Sequence, residues 1–487
     1  MLVFLFVFVV SLSVGVVSFP QMRFSSFIQK IRSTFATIVP TSTTTHFVIG
    51  NEACDCDSAI SALAYAFRLA SSTRFSTTVQ IIPVISCLRK DWPLRREAND
   101  LLVQCMKHDA DFNISYPIED DLVFLDDVVA DLTKSSKNGE DRKVTITLVD
   151  HNVLKGPLAL ALKNIGINPE TSVIEIIDHH LDSGKHMHVT GIYRNIAFDS
   201  KSLSATAGST CTLVANDLLN DAQLLSTSIL DKTMSVMSEI STTRTGIDAS
   251  LAEVLGSCIL LDTVGLNPSA GKATPLDFET ISRLRLLIAS ERKEDVSIHL
   301  DPKVVFERLN SLKQDVLFWK SLSSQQALEF DYKSFELGLS ASFGTSSIMA
   351  SLADFLNQWK SNTDNDIIDE RFLTDISDFM STKGLLFHVL LSTVSQSEQD
   401  GGGIERSIAF IAKTNTLGVE HVTTTCAILL HDTSRKGQEN IIDLKLEEVH
   451  VKYDMTRFFV RVFRQKNNKA SRKQIAPLIQ SIFSFHD

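Results

Sequence analysis

The sequence predicts an α/β fold: a doubly wound, mostly parallel sheet followed by a smaller α/β domain, with a cleft between the two. From residue 46 onward, short β-rich runs alternate with helical patterns, and the runs are apolar throughout. Continuous apolar strands separated by helices are typical of parallel sheets that are covered on both faces. The pattern changes near residue 300, and 487 residues are enough for two to three domains.

Four β-rich runs account for the first predicted sheet. They are HFVIG (46–50), VQIIPVI (79–85), VTITLVD (144–150) and VIEIID (173–178). Helical patterns follow the first and the third run, at residues 57–70 and 157–165. This alternation indicates units in which a helix connects two parallel strands.

The second segment mixes helical and β-rich patterns. A helical stretch covers 313–322, a strand-like run covers 335–343, and a basic, β-rich C-terminus begins at about 449. The polar stretch 395–403 (SQSEQDGGG) predicts a loop. We find no internal repeat, so the simplest organisation is two domains.

Composition and charge exclude several classes of protein. With 44% hydrophobic and 22% charged residues, the chain can bury a sizeable core and is neither disordered nor fibrous. Its net charge of −11 repels nucleic-acid phosphates unless positive charge is concentrated locally. The seven cysteines are scattered, without a CxxC pair, which excludes a disulfide scaffold and a zinc ladder.

The N-terminus predicts targeting. Residues 1–20 are read as a signal peptide because an uncharged apolar run extends to Phe19. A membrane anchor is the alternative, but the run is short and diluted by serine and glycine. Residues 21–45 are expected to be a flexible or transit-like lead-in, and the sequence does not decide which.

The expected localisation therefore starts with entry to the secretory pathway. The protein would then be secreted, enter a vacuolar or other acidic lumen, or reach an organelle by two-part targeting. It would be cytoplasmic if the run is not a functional signal. No stable membrane span is expected after signal removal.

Acidic residues and histidines follow four apolar runs, each of which is read as a strand. These residues are Asp55 and Asp57, Asp150, the triplet Asp178-His179-His180, and Asp262. Each one alone is more often a turn residue or a helix cap. Carboxyl ends of parallel strands meet at one edge of a sheet, however, and clustered carboxylates without a cation repel one another. Aspartates with a few imidazoles suit Mg²⁺ or Mn²⁺, and two such ions about 4 Å apart can hydrolyse phosphoryl bonds.

These motifs resemble the DHH phosphoesterase superfamily, which is named for the triplet found here at 178–180. Further strings resemble its eukaryotic exopolyphosphatase branch, which includes the prune-like proteins: GSTCTLV (208–214), LLDTVGLNPSAGKATPLD (260–277), FDYKSFELG (330–338) and SRKQIAP (471–477). The last two resemble the accessory domain called DHHA2. The resemblance implies a DHH domain over 46–295, a DHHA2 domain over 300–487 and an active site in the cleft.

The resemblance also implies roles for individual residues around two divalent ions, Mg²⁺ or Mn²⁺, with Co²⁺ as a further option. The Asp150 and Asp262 positions bridge both ions, and Asp55 belongs with one of them. Asp57 and His179 belong with the other ion. His180 faces the substrate and donates a proton to the leaving oxygen. Since neighbours on an extended chain point in opposite directions, we expect the two histidines to serve different partners.

Asn51 differs from the residue found at this position in the related family II pyrophosphatases, and the difference affects the expected metal preference. Family II pyrophosphatases carry a histidine ligand there, whereas exopolyphosphatase and prune-like members resemble this sequence in having asparagine. An amide oxygen is a harder, weaker ligand, so we expect an Mg²⁺-tolerant enzyme. Animal prune-like proteins replace the last histidine of the triplet with arginine, and His180 is retained here, which favours catalytic competence. We expect Asp178 to support the histidines rather than to bind metal.

Cations complete the predicted site. Residues 452–473 contain eight Lys/Arg and one acid, and most of these side chains are read as a solvated face. Arg472, Lys473 and Lys333, in contrast, stand in strings that resemble the phosphate-binding motifs of the accessory domain. Lys272 is a weaker candidate. His151 either orients Asp150 or is structural.

The predicted function is an exopolyphosphatase, in which hydroxide held between the ions attacks the terminal phosphorus of inorganic polyphosphate. Three alternatives stay open: a family II-like pyrophosphatase, a nucleotide phosphodiesterase and a prune-like scaffold protein. The expected partner is polyphosphate or another small polyanion, with no nucleic acid, and the oligomeric state is open. Glycines 401–403 resemble a motif of nuclease members, but Ile404 replaces the histidine that usually follows it. Cys54 and Cys56 are read as small apolar residues rather than as ligands.

Overall fold

The structure is a computed structural model. It describes residues 22–38, 43–72, 74–75, 78–107, 116–202, 204–230, 247–337, 341–357, 368–396, 403–431, 443–468 and 470–483. The predicted signal peptide (1–20) lies outside these ranges and stays a prediction. Within the described ranges, no helix has the length and apolar character needed to cross a membrane.

The described residues form sixteen α-helices and thirteen strands. The helices are α1 (Phe24–Ala36), α2 (Cys56–Ser71), α3 (Arg96–Lys107), α4 (Leu125–Asn138), α5 (Gly156–Asn164), α6 (Pro169–Ser172), α7 (Thr210–Leu230), α8 (Ala249–Asp262), α9 (Pro275–Arg292), α10 (Pro302–Lys313), α11 (Val316–Ser321), α12 (Ser324–Glu329), α13 (Leu352–Asn357), α14 (Glu370–Lys383), α15 (Leu417–His431) and α16 (Arg472–Phe483). The strands are β1 (Thr44–Ile49), β2 (Val79–Val84), β3 (Lys143–Val149), β4 (Val173–Asp178), β5 (Arg194–Ile196), β6 (Phe198–Asp199), β7 (Ser204–Ala205), β8 (Tyr332–Leu337), β9 (Ala341–Ile348), β10 (Phe387–Gln396), β11 (Gly403–Lys413), β12 (Leu446–Val449) and β13 (Phe458–Gln465).

The N-terminal sheet is parallel and has the order β2-β1-β3-β4-β5, which confirms the predicted fold class. All four predicted strands are present. The chain moves from β1 to β2 in one direction across the sheet, and from β3 to β4 in the other. Because such crossovers are right-handed, their helices cover opposite faces of the sheet. The order reverses between β1 and β3, and ligands bind in doubly wound sheets at such a switch point.

The turn from β1 into α2 brings the backbone of the two elements into close contact. A Cβ atom on Gly50 would lie 2.7 Å from the carbonyl oxygen of Ser58, so glycine is required there. Asp55 then caps α2 by accepting a hydrogen bond of 3.0 Å from the Ser58 amide. This turn fixes the first turn of α2 against the carboxyl end of β1.

The expected lead-in over 21–45 is not flexible where the structure describes it. Residues 24–36 form α1, and its apolar side chains, among them Phe24, Ile28 and Ile31, are buried in the N-terminal core. The Phe24 ring meets the Phe67 ring of α2 edge-on, with centroids 5.6 Å apart. Residues 24–36 form a packed helix because their apolar residues are spaced along one helical face. The serine-rich composition of the segment did not indicate this.

Two further expectations were wrong in their secondary structure. Asp262 does not end a strand: it is the last residue of α8, whose side chains are almost all buried. The strand-like run 335–343 falls on two antiparallel strands, β8 and β9, rather than on one. Of the predicted loop 395–403, residues 397–402 lie outside the described ranges, and Gly403 begins β11.

The C-terminal domain contains a mixed six-stranded sheet of order β12-β13-β11-β10-β9-β8, in which only β9 and β10 pair in parallel. Its two faces are covered by separate apolar clusters. Leu300, just before α10, and Leu309, within α10, pack into the N-terminal core. Trp319, in α11, packs into the C-terminal core. The packing of the second domain thus begins after α10.

We predict that Phe24→Ala lowers the free energy of unfolding by about 3 kcal/mol, because it removes a buried aromatic ring and leaves a cavity. Chemical denaturation followed by circular dichroism measures this effect. Phe278→Ala is the control, since the Phe278 side chain is 43% exposed. Equal stability of the two variants would show that α1 does not belong to the folded core.

Candidate active site

Asp150 lies directly after β3, at the switch point of the sheet. It is buried, and its backbone adopts a φ of 61°, a left-handed conformation that is uncommon for a residue other than glycine. Its Oδ2 atom accepts hydrogen bonds of 2.6 Å from both Asn51 Nδ2 and Ser58 Oγ. These two donors hold the carboxylate so that its Oδ1 atom faces His179 Nε2 at 3.4 Å.

Asp57 lies in the first turn of α2 and is held by the start of α7. Its Oδ1 atom accepts hydrogen bonds from Ser209 Oγ (2.6 Å) and the Cys211 amide (2.8 Å), and its Oδ2 atom accepts one from the Thr210 amide (2.7 Å). Two helix N-termini therefore meet at one carboxylate, where their dipoles favour negative charge. Sequence reasoning recognised the GSTCTLV string but missed that it binds Asp57.

His179 lies between the two carboxylates. Its Nδ1 atom is 3.1 Å from the Ala207 carbonyl oxygen, and its Nε2 atom is 3.4 Å from Asp150 Oδ1 and 3.7 Å from Asp57 Oδ2. A carbonyl only accepts hydrogen bonds, so Nδ1 carries the proton. Without an ion, the protonated ring can also donate from Nε2 to Asp150. When an ion is bound, the neutral ring offers it the Nε2 lone pair, which is how a protein orients a metal-binding imidazole.

Asp178 supports the histidines, as predicted for it. Its Oδ1 atom accepts hydrogen bonds of 2.8 Å from the His179 amide and from His180 Nδ1, and Asn152 Nδ2 donates to its Oδ2 atom at 2.6 Å. Burial raises the pKa of Asp178, but the charge and hydrogen bond of His180 outweigh burial and lower the pKa to about 2. Asp178 is thus an anion that fixes the orientation of the His180 ring.

The two imidazoles do not point in opposite directions, contrary to the argument from an extended chain. The ring centroids of His179 and His180 are 4.6 Å apart, and both rings approach Asp150 Oδ1, at 3.4 and 3.5 Å. The reason is that β4 ends at Asp178 and the chain bends through both histidines. Alternation of side chains applies only within the strand.

Electrostatics indicate that this cluster is built for a cation. Burial, with the nearby charges of Asp150 and Asp262, raises the pKa of Asp57 to about 8. Burial also disfavours the charge on Asp150, but the hydrogen bond from His179 and the charges of His180, His179 and Lys333 hold its pKa well below the ordinary value. Buried carboxylates and an imidazole with a directed lone pair fit a divalent metal ion. Asp150, His179 and His180 offer ligand atoms within 4.8 Å of one another.

The structure gives Asn51 a different contact from the one predicted. Its Nδ2 atom donates to Asp150, while its Oδ1 atom accepts a hydrogen bond of 2.9 Å from the Ala53 amide. This geometry favours a role in orienting Asp150, and the ligand role of Asn51 stays a prediction. The ligand roles of Asp55 and Asp262 also stay predictions. Asp55 caps α2, and Asp262 lies close enough for its charge to raise the pKa of Asp57.

Two lysines bring positive charge towards the carboxylates. Lys333 of β8, in the second domain, helps to lower the pKa of Asp150 through its charge. Lys313, at the end of α10, was missed from the sequence. Its Nζ atom lies 3.2 Å from Glu97 Oε1. Burial disfavours its charge, but Glu97, Asp55 and Asp262 raise the pKa of Lys313 above the ordinary value.

A set of contacts joins the two domains beside the site. The Ser334 amide donates to Glu52 Oε1 at 2.7 Å, and Lys155 Nζ lies 2.8 Å from the same oxygen. Lys155 Nζ also donates to the Ser334 carbonyl oxygen at 2.8 Å. Glu52 follows Asn51 and Ser334 follows Lys333, so this hook (Glu52, Lys155 and Ser334) connects the candidate metal motif of one domain to the candidate phosphate-binding lysine of the other.

Arg472 contacts Asp331, the residue directly before β8. Its Nη2 atom lies 2.8 Å from Asp331 Oδ1, and its Nη1 atom donates to the Asp331 carbonyl oxygen at 2.7 Å. Asp331 thus ties Arg472 to the strand that carries Lys333. The side chain of Lys473 lies outside the described part of the structure.

Other residues singled out from the sequence have contacts of a different kind. The backbone carbonyl of Lys272 packs against Gly208, ahead of α7. His151 Nδ1 lies 2.9 Å from the Val149 carbonyl oxygen, which fits a structural role. Lys466 of the basic C-terminus pairs with Glu447 at 3.1 Å, and Arg461 pairs with Glu448, in agreement with a solvated face.

Comparison with known proteins gives matches over most of the chain. The DHHA2 domain family matches residues 307–482. The mouse protein "Exopolyphosphatase PRUNE1" is 27% identical over 442 residues, which is 90% of this chain and 75% of the mouse protein. The human protein of the same name is 29% identical over 289 residues, which is 59% of this chain and 49% of the human protein.

Among solved structures, a Methanococcus jannaschii protein provisionally named a family II inorganic pyrophosphatase matches with a TM-score of 0.45 and 15% identity. The match covers 90% of this chain and 99% of that chain. A likeness at this score supports no inference of its own.

The sequence matches confirm the resemblance read from the motifs. The parallel sheet with its acidic switch point and the second domain agree with the two-domain architecture expected from that resemblance, and residues 307–482 match the DHHA2 domain family. The chain as a whole is similar to the mouse and human proteins named above.

We predict a pH-dependent effect of Asp57→Asn in metal-free protein. A carboxyl group whose pKa is about 8 in the folded protein and 3.8 when unfolded destabilises the fold increasingly as the pH rises between these values. The unfolding free energy of the variant should therefore improve relative to wild type from pH 4 to pH 8. Denaturation in a chelator measures this difference. A difference that does not change with pH would contradict the electrostatic account.

Proposed function

We propose that the protein is an exopolyphosphatase that uses two divalent ions, Mg²⁺ or Mn²⁺, to remove terminal phosphate from inorganic polyphosphate. The observation that carries the proposal is the meeting of Asp57, Asp150 and His179 at the switch point, where the charge of Lys333 from the second domain also acts on Asp150. The relatives named as exopolyphosphatases support the same reaction class. The ions, when bound, supply a nucleophilic water and neutralise the phosphoryl oxygens.

Each residue has a role that follows from its contacts. Asp57, Asp150 and His179 bind the ions, and we assign Asp55 and Asp262 to the same set. Asp178 fixes His180 through Nδ1, which leaves the other side of the ring to donate a proton to the leaving phosphate oxygen.

Basic side chains complete the substrate site. Lys333 and Arg472, joined through the strand start at Asp331, neutralise the polyanion as its end approaches the ions. We assign Lys473 to the same task on the strength of its motif. Closure of the two domains would then exclude bulk water.

The other candidate functions differ in what they require of the site. A pyrophosphatase would share the chemistry, but the amide of Asn51 is engaged with Asp150 and Ala53 rather than replaced by an imidazole. A scaffold protein would not need the oriented His180 and its anionic partner Asp178. A nucleotide substrate would need an exposed aromatic surface on which its base can stack. Within the described residues, no such surface lies beside the candidate phosphate-binding residues.

The proposed activity is tested by phosphate release. Metal-stripped protein is supplied with Mg²⁺ or Mn²⁺ and given long polyphosphate, tripolyphosphate, pyrophosphate and a cyclic nucleotide in parallel. We expect metal-dependent release from both polyphosphates while pyrophosphate stays intact. Faster cleavage of pyrophosphate would support the pyrophosphatase alternative, and no release from any substrate would refute the proposed enzyme.

We predict that His180→Ala lowers kcat for polyphosphate by at least about 100-fold, because it removes the proton donor. His188→Ala is the matched control: His188 Nε2 contacts the Val173 carbonyl oxygen, at the opposite end of β4. Circular dichroism verifies that both variants fold. Equal turnover of the two variants would remove His180 from the mechanism.

A further prediction concerns the hook between the domains. Glu52→Ala and Glu52→Gln remove the same charge, but glutamine still accepts the hydrogen bond from the Ser334 amide. One such hydrogen bond is worth about 1 kcal/mol, so we expect the KM for polyphosphate to be about fivefold higher in Glu52→Ala than in Glu52→Gln. Steady-state kinetics measure both, with the exposed Glu336→Ala as control. The same KM in both Glu52 variants would show that the hook does not position Lys333.

A further inference from the structure

Two cysteines, one from α7 and one from α8, approach Asp57. Ligand atoms of Asp57, Cys211 and Cys258 lie within 4.8 Å of one another, and all three residues are buried. Cys211 Sγ lies 3.8 Å from the Asp57 carbonyl oxygen. The Cys258 thiol contacts both the Cys56 thiol and the Cys211 thiol through hydrogen bonds. Cys56 belongs to the first turn of α2 and adjoins this pair of thiols.

We propose that Cys211 and Cys258, together with Asp57, bind a thiophilic divalent ion such as Zn²⁺ or Cd²⁺. Two sulfur atoms and one carboxylate oxygen are donors of the type found in zinc sites with three protein ligands, whose fourth position is taken by water. This site differs in chemistry from the oxygen-rich site around Asp150, where Mg²⁺ or Mn²⁺ is expected. It shares only Asp57 with that site.

The chemistry of the donors explains which ions this site selects. Sulfur is a soft ligand, and a hard cation such as Mg²⁺ gains little from it. A thiophilic ion forms a metal–sulfur bond as each coordinating thiol releases its proton to solvent, and no oxidation or reduction occurs.

The positions of the cysteines distinguish this cluster from ordinary apolar filling. Cys211 lies in the first turn of α7, where the helix dipole favours a negatively charged sulfur. Cys426, in contrast, lies within α15 of the other domain and is buried there among apolar residues. Cys87 contacts Cys54 rather than this cluster.

Sharing of Asp57 has a consequence for the reaction. An ion held by the thiols draws on the carboxylate that we assign to the catalytic metal set, so Zn²⁺ or Cd²⁺ should inhibit phosphate release. This consequence rests on the proposed function, whereas binding of the ion does not. A direct binding measurement therefore separates the two.

The experiment is a titration of Cd²⁺ into the full chain in the presence of saturating Mg²⁺, followed by the ultraviolet absorption of cadmium–thiolate bonds. We expect wild type to develop this band to saturation at about one ion per chain, and Cys258→Ser to lose most of its intensity. Cys426→Ser and Cys87→Ser are the matched controls and should keep it. If Cys258→Ser does not fold, as judged by circular dichroism, Cys211→Ser tests the same site.

Two results would overturn the proposal: no band in wild type, or a band of equal intensity in wild type and in the folded Cys258→Ser or Cys211→Ser variant. Inhibition by Zn²⁺ is then assayed on the same proteins. If the protein has no phosphatase activity, the proposed function fails while the cadmium band still decides the metal site.

Discussion

The structure depends on one electrostatic constraint: two buried carboxylates, Asp57 and Asp150, lie beside the same imidazole. Like charges in a low-dielectric site repel, and burial alone disfavours each of them. Hydrogen bonds to the two carboxylates reduce this cost. Backbone amides at the start of α7 donate to Asp57, and hydroxyl, side-chain amide and imidazole groups donate to Asp150. The raised pKa of Asp57 shows that these donors do not offset the whole cost, which a divalent ion would relieve.

The second domain contributes positive charge and interdomain contacts beside these carboxylates. Asp331, directly before β8, holds Arg472. Within β8, the charge of Lys333 lowers the pKa of Asp150, and the Ser334 amide donates to Glu52. This short stretch therefore connects the candidate phosphate-binding cations with the candidate metal motif of the other domain.

The sequence predicted the sheet and its edge well because continuous apolar strands and their polar ends are local signals. It misplaced Asp262, since a helix that is buried on nearly every side, like α8, has the same apolar run as a strand. The sequence did not reveal the hydrogen-bond donors around Asp57. Most of these donors are backbone amides, which are the same for nearly every residue type. The sequence also did not reveal the contact of Asn51 with Asp150, which depends on the tertiary approach of β1 and β3.

The central claim is that this carboxylate cluster holds a pair of divalent ions. Electron paramagnetic resonance of Mn²⁺ titrated into metal-stripped protein tests it most directly, because the signal reports both the number of bound ions and their coupling. The account predicts two bound ions per chain with spin–spin coupling, since shared carboxylates hold them close together. A single uncoupled ion, or Mn²⁺ that remains free in solution, would contradict it.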